Sequence, residues 1–240
     1  MKSIVDEKYW DDCWQKIKSE IAPKHHPIRQ WIESEVPETN YKTCFEIGYY
    51  PGKFLAVFGE KGYVLNGVDL FIEPQNSSIL WLKKSGYNIG SFYKSDLRDF
   101  KSSESYNVVC SFGLIEHFKN WKEALNKHIE LTKDKGTIMI DVPNLNSFLY
   151  RFLYGLFEPR VLKNHEFSAM NITNICNVLK EGKCDIKKAD YFGYFYFRFV
   201  TRHDKISVII AKIINIFRPV FELLPKSIYM RYIVILAVKQ

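Results

Sequence analysis

The 240-residue chain has no uninterrupted apolar run near the ~18 residues of a membrane span, which argues against an integral membrane protein. Its five cysteines, Cys13, Cys44, Cys110, Cys176 and Cys184, form no C-x-x-C pair, and several sit inside apolar strand-like runs. That spacing argues against a disulfide framework or a structural zinc site and suits reduced, buried thiols in a cytoplasmic protein. The opening MKSIVDEKYWDDCWQ is too acidic and too broken for a secretory signal. No repeat, low-complexity linker or composition break divides the chain, so one domain is expected across residues 1–240. A G-x-G-x-x-G fingerprint is also missing, which argues against a dinucleotide-dependent oxidoreductase.

What is present is an ordinary globular composition, 47% hydrophobic and 25% charged, large enough to bury a core, with a rich aromatic share of 16%. The net charge of +7 is not spread evenly. Residues 1–182 carry 23 basic and 23 acidic side chains, whereas residues 183–240 carry 11 basic and 4 acidic. A neutral body with a basic C-terminal quarter points to an acidic partner at that quarter, against the simpler reading of a lysine-decorated solvated surface.

Strand-like and helix-like segments alternate from residue 43. TCFEI, YVLNGVDL, NIGSFYKSDL, YNVVCSF and TIMIDVP read as strands. KFLAVFGEKG, SSILWLKKSG and the amphipathic NWKEALNKHIELTKDKG read as helices between them. This alternation predicts an α/β, doubly wound, mostly parallel sheet with helices on both faces. A helical N-terminal cap over roughly residues 5–36 precedes it, with Trp10 and Trp14 one turn apart. Beyond it come an aromatic helix or lid (144–159), a helix (172–183), an aromatic strand (187–199), a long amphipathic helix (204–225) broken at Pro219, and a last strand (229–239).

The stretch FEIGYYPGKF, residues 45–54, reads as a strand end, a tight turn and a helix start. Gly48 and Gly52 give the backbone freedom to approach a ligand, and Pro51 suits a first helical position. Asp69 ends the second strand, 21 residues after Gly48, placed for both hydroxyls of a ribose. Glu46 stands just before the loop. It would face a phosphate poorly, but it suits a ligand that carries positive charge, such as the sulfonium and amino groups of S-adenosylmethionine.

These residues resemble the class I S-adenosylmethionine-dependent methyltransferases. FEIGYYPGKFLAVFGEKGYVLNGVDL is similar to the family's first two motifs, GSFYKSDLRDF to its third, and YNVVCSFGLIEHFKNWKEALNKHIELTKDKGTIMIDVPN to its fourth and fifth. Glu116-His117 and DVPN resemble the branch of quinone-biosynthesis and natural-product enzymes. The resemblance covers about residues 40–145 well and the rest more loosely. It implies a Rossmann-like sheet of seven strands. It divides the domain into an N-terminal helical cap (1–40), a cofactor-binding half (41–145) and a substrate-side half with the C-terminal strands (146–240). It also implies S-adenosylmethionine as cofactor and S-adenosylhomocysteine as product. Glu46, Gly48 and Gly52 would hold the methionine part, Asp69 and the following Leu70 the ribose, Asp96 and Leu97 the adenine, with Ser111 and Phe112 bordering the cofactor. Tyr50 departs from the family, which usually has Gly there; it is taken to lie at the cofactor's edge. It also leaves open a binding or regulatory protein that no longer turns over.

Methyl transfer is an in-line displacement at an activated carbon, so positioning and water exclusion carry much of it. Where the acceptor must lose a proton, most simply for transfer to oxygen, His117 is the expected base, against a purely packing role. His165 and Asn144 are candidate substrate contacts. No metal ligand set is expected. A nucleic-acid acceptor is disfavoured because N/D-P-P-Y/F and a separate recognition module are both missing. The helix at 205–217 is apolar over a wide face, which most simply means core. Its coincidence with the basic charge instead suits a helix on an anionic membrane surface, with a small-molecule, lipid-linked or glycan acceptor.

Overall fold

The computed structural model describes residues 2–5, 9–10, 18–70 and 73–240, without the side chains of 73–76. Cys13 and Trp14 lie outside the described residues. Seven strands form one sheet: β1 (Thr43–Ile47), β2 (Val64–Asp69), β3 (Ile89–Lys94), β4 (Tyr106–Phe112), β5 (Thr132–Pro143), β6 (Cys184–Phe192) and β7 (Tyr232–Lys239). Their order is β3-β2-β1-β4-β5-β7-β6. β1 to β5 are mutually parallel, and β7 runs antiparallel to both β5 and β6. The chain winds outward from β1 to β3, then returns to β4 beside β1. That reversal opens a crevice at the carboxyl ends of β1 and β4.

Alternation along the central strands fills both faces. Phe45, Ile47, Val109, Ile138, Ile140 and Val142 face one core, packed by α4 (Trp121–Leu131), α5 (Phe148–Phe157) and α7 (Ile172–Glu181). Cys44, Leu65, Val108, Cys110, Met139 and Val234 face the other, packed by α1 (Pro27–Glu35) and α2 (Leu55–Glu60). α3 (Glu73–Lys84) flanks β3. Cys44, Cys110, Cys176 and Cys184 are buried free thiols, as expected.

Four expectations need correction. The N-terminal cap is not helical across residues 18–26; α1 begins at Pro27, where the His26 ring accepts from the Ile28 N–H at 3.2 Å and Pro27 has no N–H to lose. Pro51 does not open a helix. The Gly52 N–H closes a turn on the Tyr49 carbonyl at 2.5 Å, with a cis bond between Tyr50 and Pro51, and α2 starts only at Leu55. The aromatic strand ends at Phe192, where Gly193 turns the chain at φ 94°. Phe195, Phe197 and Phe199 remain buried in strand-like alternation, but side chains replace the ladder: Glu222 accepts from Phe195 N–H, Asn215 from Phe197 N–H, and Glu158 from Val200 and Thr201 N–H. Finally, α8 (Lys205–Ile216) is not core. Of its residues only Ser207 is buried, while Ile206, Ile209, Ile213 and Ile216 are all more than half exposed. Three short helices, α6 (Pro159–Lys163), α9 (Arg218–Phe221) and α10 (Lys226–Tyr229), complete the C-terminal half.

Candidate functional site

A cavity of about 400 Å³ lies in the crevice. Glu46 to Pro51 reach it from β1, Asp69 and Leu70 from β2, Asp96 to Arg98 from the loop after β3, and Phe112 to Leu114 with His117 from β4. Ser3 and Val5 cover one side. They are held there because Ser3 bridges to Phe118 and the Ile4 N–H donates to the His117 carbonyl at 2.8 Å.

The loop after β1 is shaped by its glycines. Gly48 has φ 73°, and a Cβ there would lie 3.0 Å from the Leu114 side chain. Gly52 has φ 88° and packs over Leu82 and Trp81, away from the cavity lining. Among the described residues positive φ outside glycine occurs only at Lys135 and Lys183, so Tyr50 carries no left-handed strain. Its N–H donates to Asp69 Oδ2 at 3.0 Å, which ties the loop to the end of β2, and its ring stands at the cavity wall. Tyr49 is the one buried, edge-on to Phe92 and over Gly67, where a Cβ would come within 2.8 Å of its ring.

The acids differ in state. Glu46 is buried, and its Oε2 has no hydrogen-bond partner. Burial pushes its carboxyl well up, partly countered by Lys53. Asp96 is held below the usual carboxylate range by Arg98, which donates from its backbone N–H to Oδ1 at 2.8 Å and from its guanidinium to Oδ2. Oδ1 keeps a second lone pair for a ligand. Leu97 is buried beside it.

The remaining candidates divide. His117 is buried on the cavity wall; its Nδ1–H donates to the Asn164 carbonyl at 2.9 Å, and burial holds it neutral by pushing its pKa well down. The His165 ring lies 4.6 Å from it, centroid to centroid, behind the lining rather than on it. Ser111 lies beneath the floor, bonded to His128 Nε2 at 2.9 Å. Asn144 donates to the Ser227 and Met230 carbonyls, fixing β5 to α10, and does not reach the cavity.

Sequence reasoning missed Lys53. Its ammonium lies 4.5 Å over the Phe54 ring at the cavity wall, with a pKa lowered to about 8 by burial and then by Arg198, against Asp141 and Glu46. Asp141, at the end of β5, is buried and pushed up to about 7 by burial. Arg231 donates to the Tyr196 carbonyl at 2.6 Å and lies over the Tyr196 and Tyr232 rings. The signal available was a lysine directly after Gly52; nothing local ties it to Arg198 or Arg231, which are far along the chain.

An open sheet of this strand order, with acids at three successive strand ends around one cavity, is the architecture of class I S-adenosylmethionine-dependent methyltransferases. A family model described as a methyltransferase domain matches residues 15–190, and the chain belongs to that family of S-adenosylmethionine-dependent enzymes. The chain is 24% identical over 143 residues to a ubiquinone biosynthesis O-methyltransferase of Saccharophagus degradans, a match covering 58% of this chain and 60% of that one. Two of the solved structures that share the fold illustrate it. The YcgJ protein of Bacillus subtilis does so with TM-score 0.62 at 14% identity, over 90% of this chain and 99% of that one. The magnesium protoporphyrin IX methyltransferase of Synechocystis, with bound S-adenosylhomocysteine, does so with TM-score 0.56 at 12% identity, over 89% of this chain and 80% of that one.

Proposed function

We propose that this methyltransferase moves the methyl group of S-adenosylmethionine to a hydroxyl oxygen of a small or lipid-linked anionic acceptor at a membrane surface. The observation that carries the cofactor side is Glu46: a buried carboxylate with an unpartnered oxygen at the wall of an open cavity wants a cationic donor. The ligand's α-amino group supplies one. Asp69 would take the ribose hydroxyls, Asp96 Oδ1 the adenine amino group and Leu97 its backbone contact, with Tyr50 along the ligand's edge. A dinucleotide would instead bring a pyrophosphate against Glu46.

In the reaction an acceptor oxygen lone pair forms the new O–C bond, the C–S bond breaks, and its electron pair neutralises the sulfonium. The hydroxyl proton must leave to a base. His117 has the right state for contact with the acceptor, a neutral ring whose Nδ1–H is committed, leaving the Nε2 lone pair. Lys53, with Arg198 and Arg231 behind it, favours an anionic acceptor. Transfer to oxygen is suggested by the named activity of the Saccharophagus relative. The non-catalytic alternative rests on Tyr50, whose backbone here is unstrained.

The surface supports the membrane part. α8, α9 and the residues that join and follow them expose Ile206, Ile209, Ile213, Ile216, Phe217, Val220 and Leu223, and α5 exposes Phe148, Phe152 and Leu156 at i, i+4 and i+8. Both α5 and α8 hold the 195–199 segment between them, through Tyr154 and Asn215. Arg151, Lys205, Lys212 and Arg218 lie on the same helices. An apolar face with cations on its helices suits an anionic interface. Isothermal titration with S-adenosylmethionine and with NAD, followed by methyl transfer to phenolic acceptors with and without a carboxylate, tests the reading. Binding of NAD alone, or no preference for the carboxylate, would overturn it.

A further inference from the structure

A side-chain cluster beside the cavity is not used by the cofactor reading. Glu116 and His117 belong to the 3-10 turn after β4; His165 belongs to the loop after α6. Two backbone ties clamp these segments together: Glu166 N–H donates to the Glu116 carbonyl at 2.6 Å, and His117 Nδ1–H to the Asn164 carbonyl. His165 Nδ1–H donates to the Val161 carbonyl at 2.6 Å. Each ring thus spends its Nδ1 proton on a backbone carbonyl and presents Nε2 as a lone pair, the arrangement that orients imidazole ligands. Glu116 is 1% exposed, and its Oε2 has no hydrogen-bond partner. One ligand atom from each of the three residues lies within 4.8 Å of the others.

A structural ion pair does not account for this group. His117 Nε2 stands 4.0 Å from Glu116 Oε1, too far for a hydrogen bond, and the ring's proton is used elsewhere. Two imidazole lone pairs and a carboxyl oxygen without a donor are three electron-rich groups in one buried place. A cation satisfies all three at once.

We propose that Glu116, His117 and His165 bind one divalent transition-metal cation of the zinc class, with an open coordination position toward the cavity. Two imidazoles and one carboxylate suit zinc or its borderline neighbours rather than magnesium or calcium, which prefer oxygen alone. Bonds of about 2.1 Å place tetrahedral ligand atoms roughly 3.4 Å apart, so binding draws the group together by about an ångström, within reach of side-chain torsions. Three protein ligands leave a fourth position free, and His117 lines the cavity there. The ligand for that position is an oxygen, from water or from an acceptor hydroxyl. This inference stands on the cluster's geometry and does not require the methyltransferase reading.

The test uses the full chain, stripped with chelator and titrated calorimetrically with Zn²⁺ alone, without cofactor or acceptor. One Zn²⁺ per chain is expected, with affinity falling more than tenfold in Glu116→Gln and in His165→Gln while the far-UV circular dichroism is unchanged. Co²⁺ loaded into the wild type should give visible absorption of four-coordinate intensity that His165→Gln weakens. Should Glu116→Gln fail to fold, His165→Gln carries the test, since its ring sits at the edge of the cluster. No stoichiometric uptake by the wild type, or uptake unchanged in His165→Gln, overturns the site and leaves the His117 Nε2 lone pair to act as a base, a role it cannot fill while it binds a metal. S-adenosylmethionine titrated separately reports the cofactor reading on its own.

Discussion

Replacing Glu46 by Gln should make the protein more stable and its cofactor binding worse. The ordinary glutamate pKa is near 4.5, and burial raises that of Glu46 well above it in the folded chain. Folding therefore takes up a proton at this site. The stability linked to that proton is fully present below 4.5 and is lost as pH rises through the raised value. As pH rises to 8 the wild type moves toward a desolvated carboxylate with one unpartnered oxygen. Gln keeps the shape and removes the charge, so about 1–2 kcal/mol should be recovered, roughly 2–8 °C in Tm for a domain of this size. At pH 5 the gain should shrink, because the wild-type group is then closer to neutral. On the proposed reading S-adenosylmethionine needs the charge. Losing a charge-assisted partner costs about 1.5–3 kcal/mol, or about 10–150-fold in affinity. Scanning calorimetry at the two pH values, with isothermal titration at pH 8, reads both. A lower Tm at pH 8 together with unchanged affinity would refute the reasoning, because Glu46 would then be a structural carboxylate with a partner of its own.

Asp69→Ala should weaken S-adenosylmethionine binding by about 1–3 kcal/mol in a titration, since it loses the proposed ribose partner and the acceptor of the Tyr50 N–H. Tyr50→Gly should bind as well as the wild type or better; abolished binding would make the ring a true contact. Lys53→Met should raise the KM for an anionic acceptor and leave the Kd of S-adenosylmethionine within about twofold. The wild-type preference should itself fade as pH rises through about 8, where the ammonium loses its proton. Ile209→Glu with Ile213→Glu should abolish co-sedimentation with anionic vesicles at low salt, with Tm nearly unchanged because both side chains are more than half exposed. Equal, negligible sedimentation of the wild type with neutral and anionic vesicles, at low and high salt, would remove the membrane from the proposal.

The β1–β5 half was legible because its signals are local. Apolar runs such as TCFEI and YNVVCSF are buried on both faces, as parallel central strands must be, and Glu46, Asp69 and Asp96 fall at or just beyond strand ends that the pattern itself marks. Pro51 misled because a proline suits a tight turn as well as a helix start, and only the Gly52–Tyr49 bond decides between them. Residues 193–199 misled in a different way. Their period of two is real, but Glu158, Glu222 and Asn215 satisfy the backbone in place of a strand. Those acceptors come from helices on either side in sequence, so no window around the segment contains them. The exposure of α8 was hidden for the same reason: an apolar face reports that something covers it, not whether this chain does.

Charge organises the site along the sheet. The acids Glu46, Asp69 and Asp96 come from β1, β2 and the loop after β3, whereas Lys53 is influenced by Arg198 and Arg231 on the β6–β7 side. The crevice between β1 and β4 lies where the two fields meet. On the proposed reading a cationic methyl donor would be drawn to one half and an anionic acceptor to the other, which would set them face to face along the line of displacement. Reaction discharges the sulfonium, and an acceptor that reacts as an oxyanion loses its charge in the same step. Both products are then held less strongly than the reactants by the groups that oriented them.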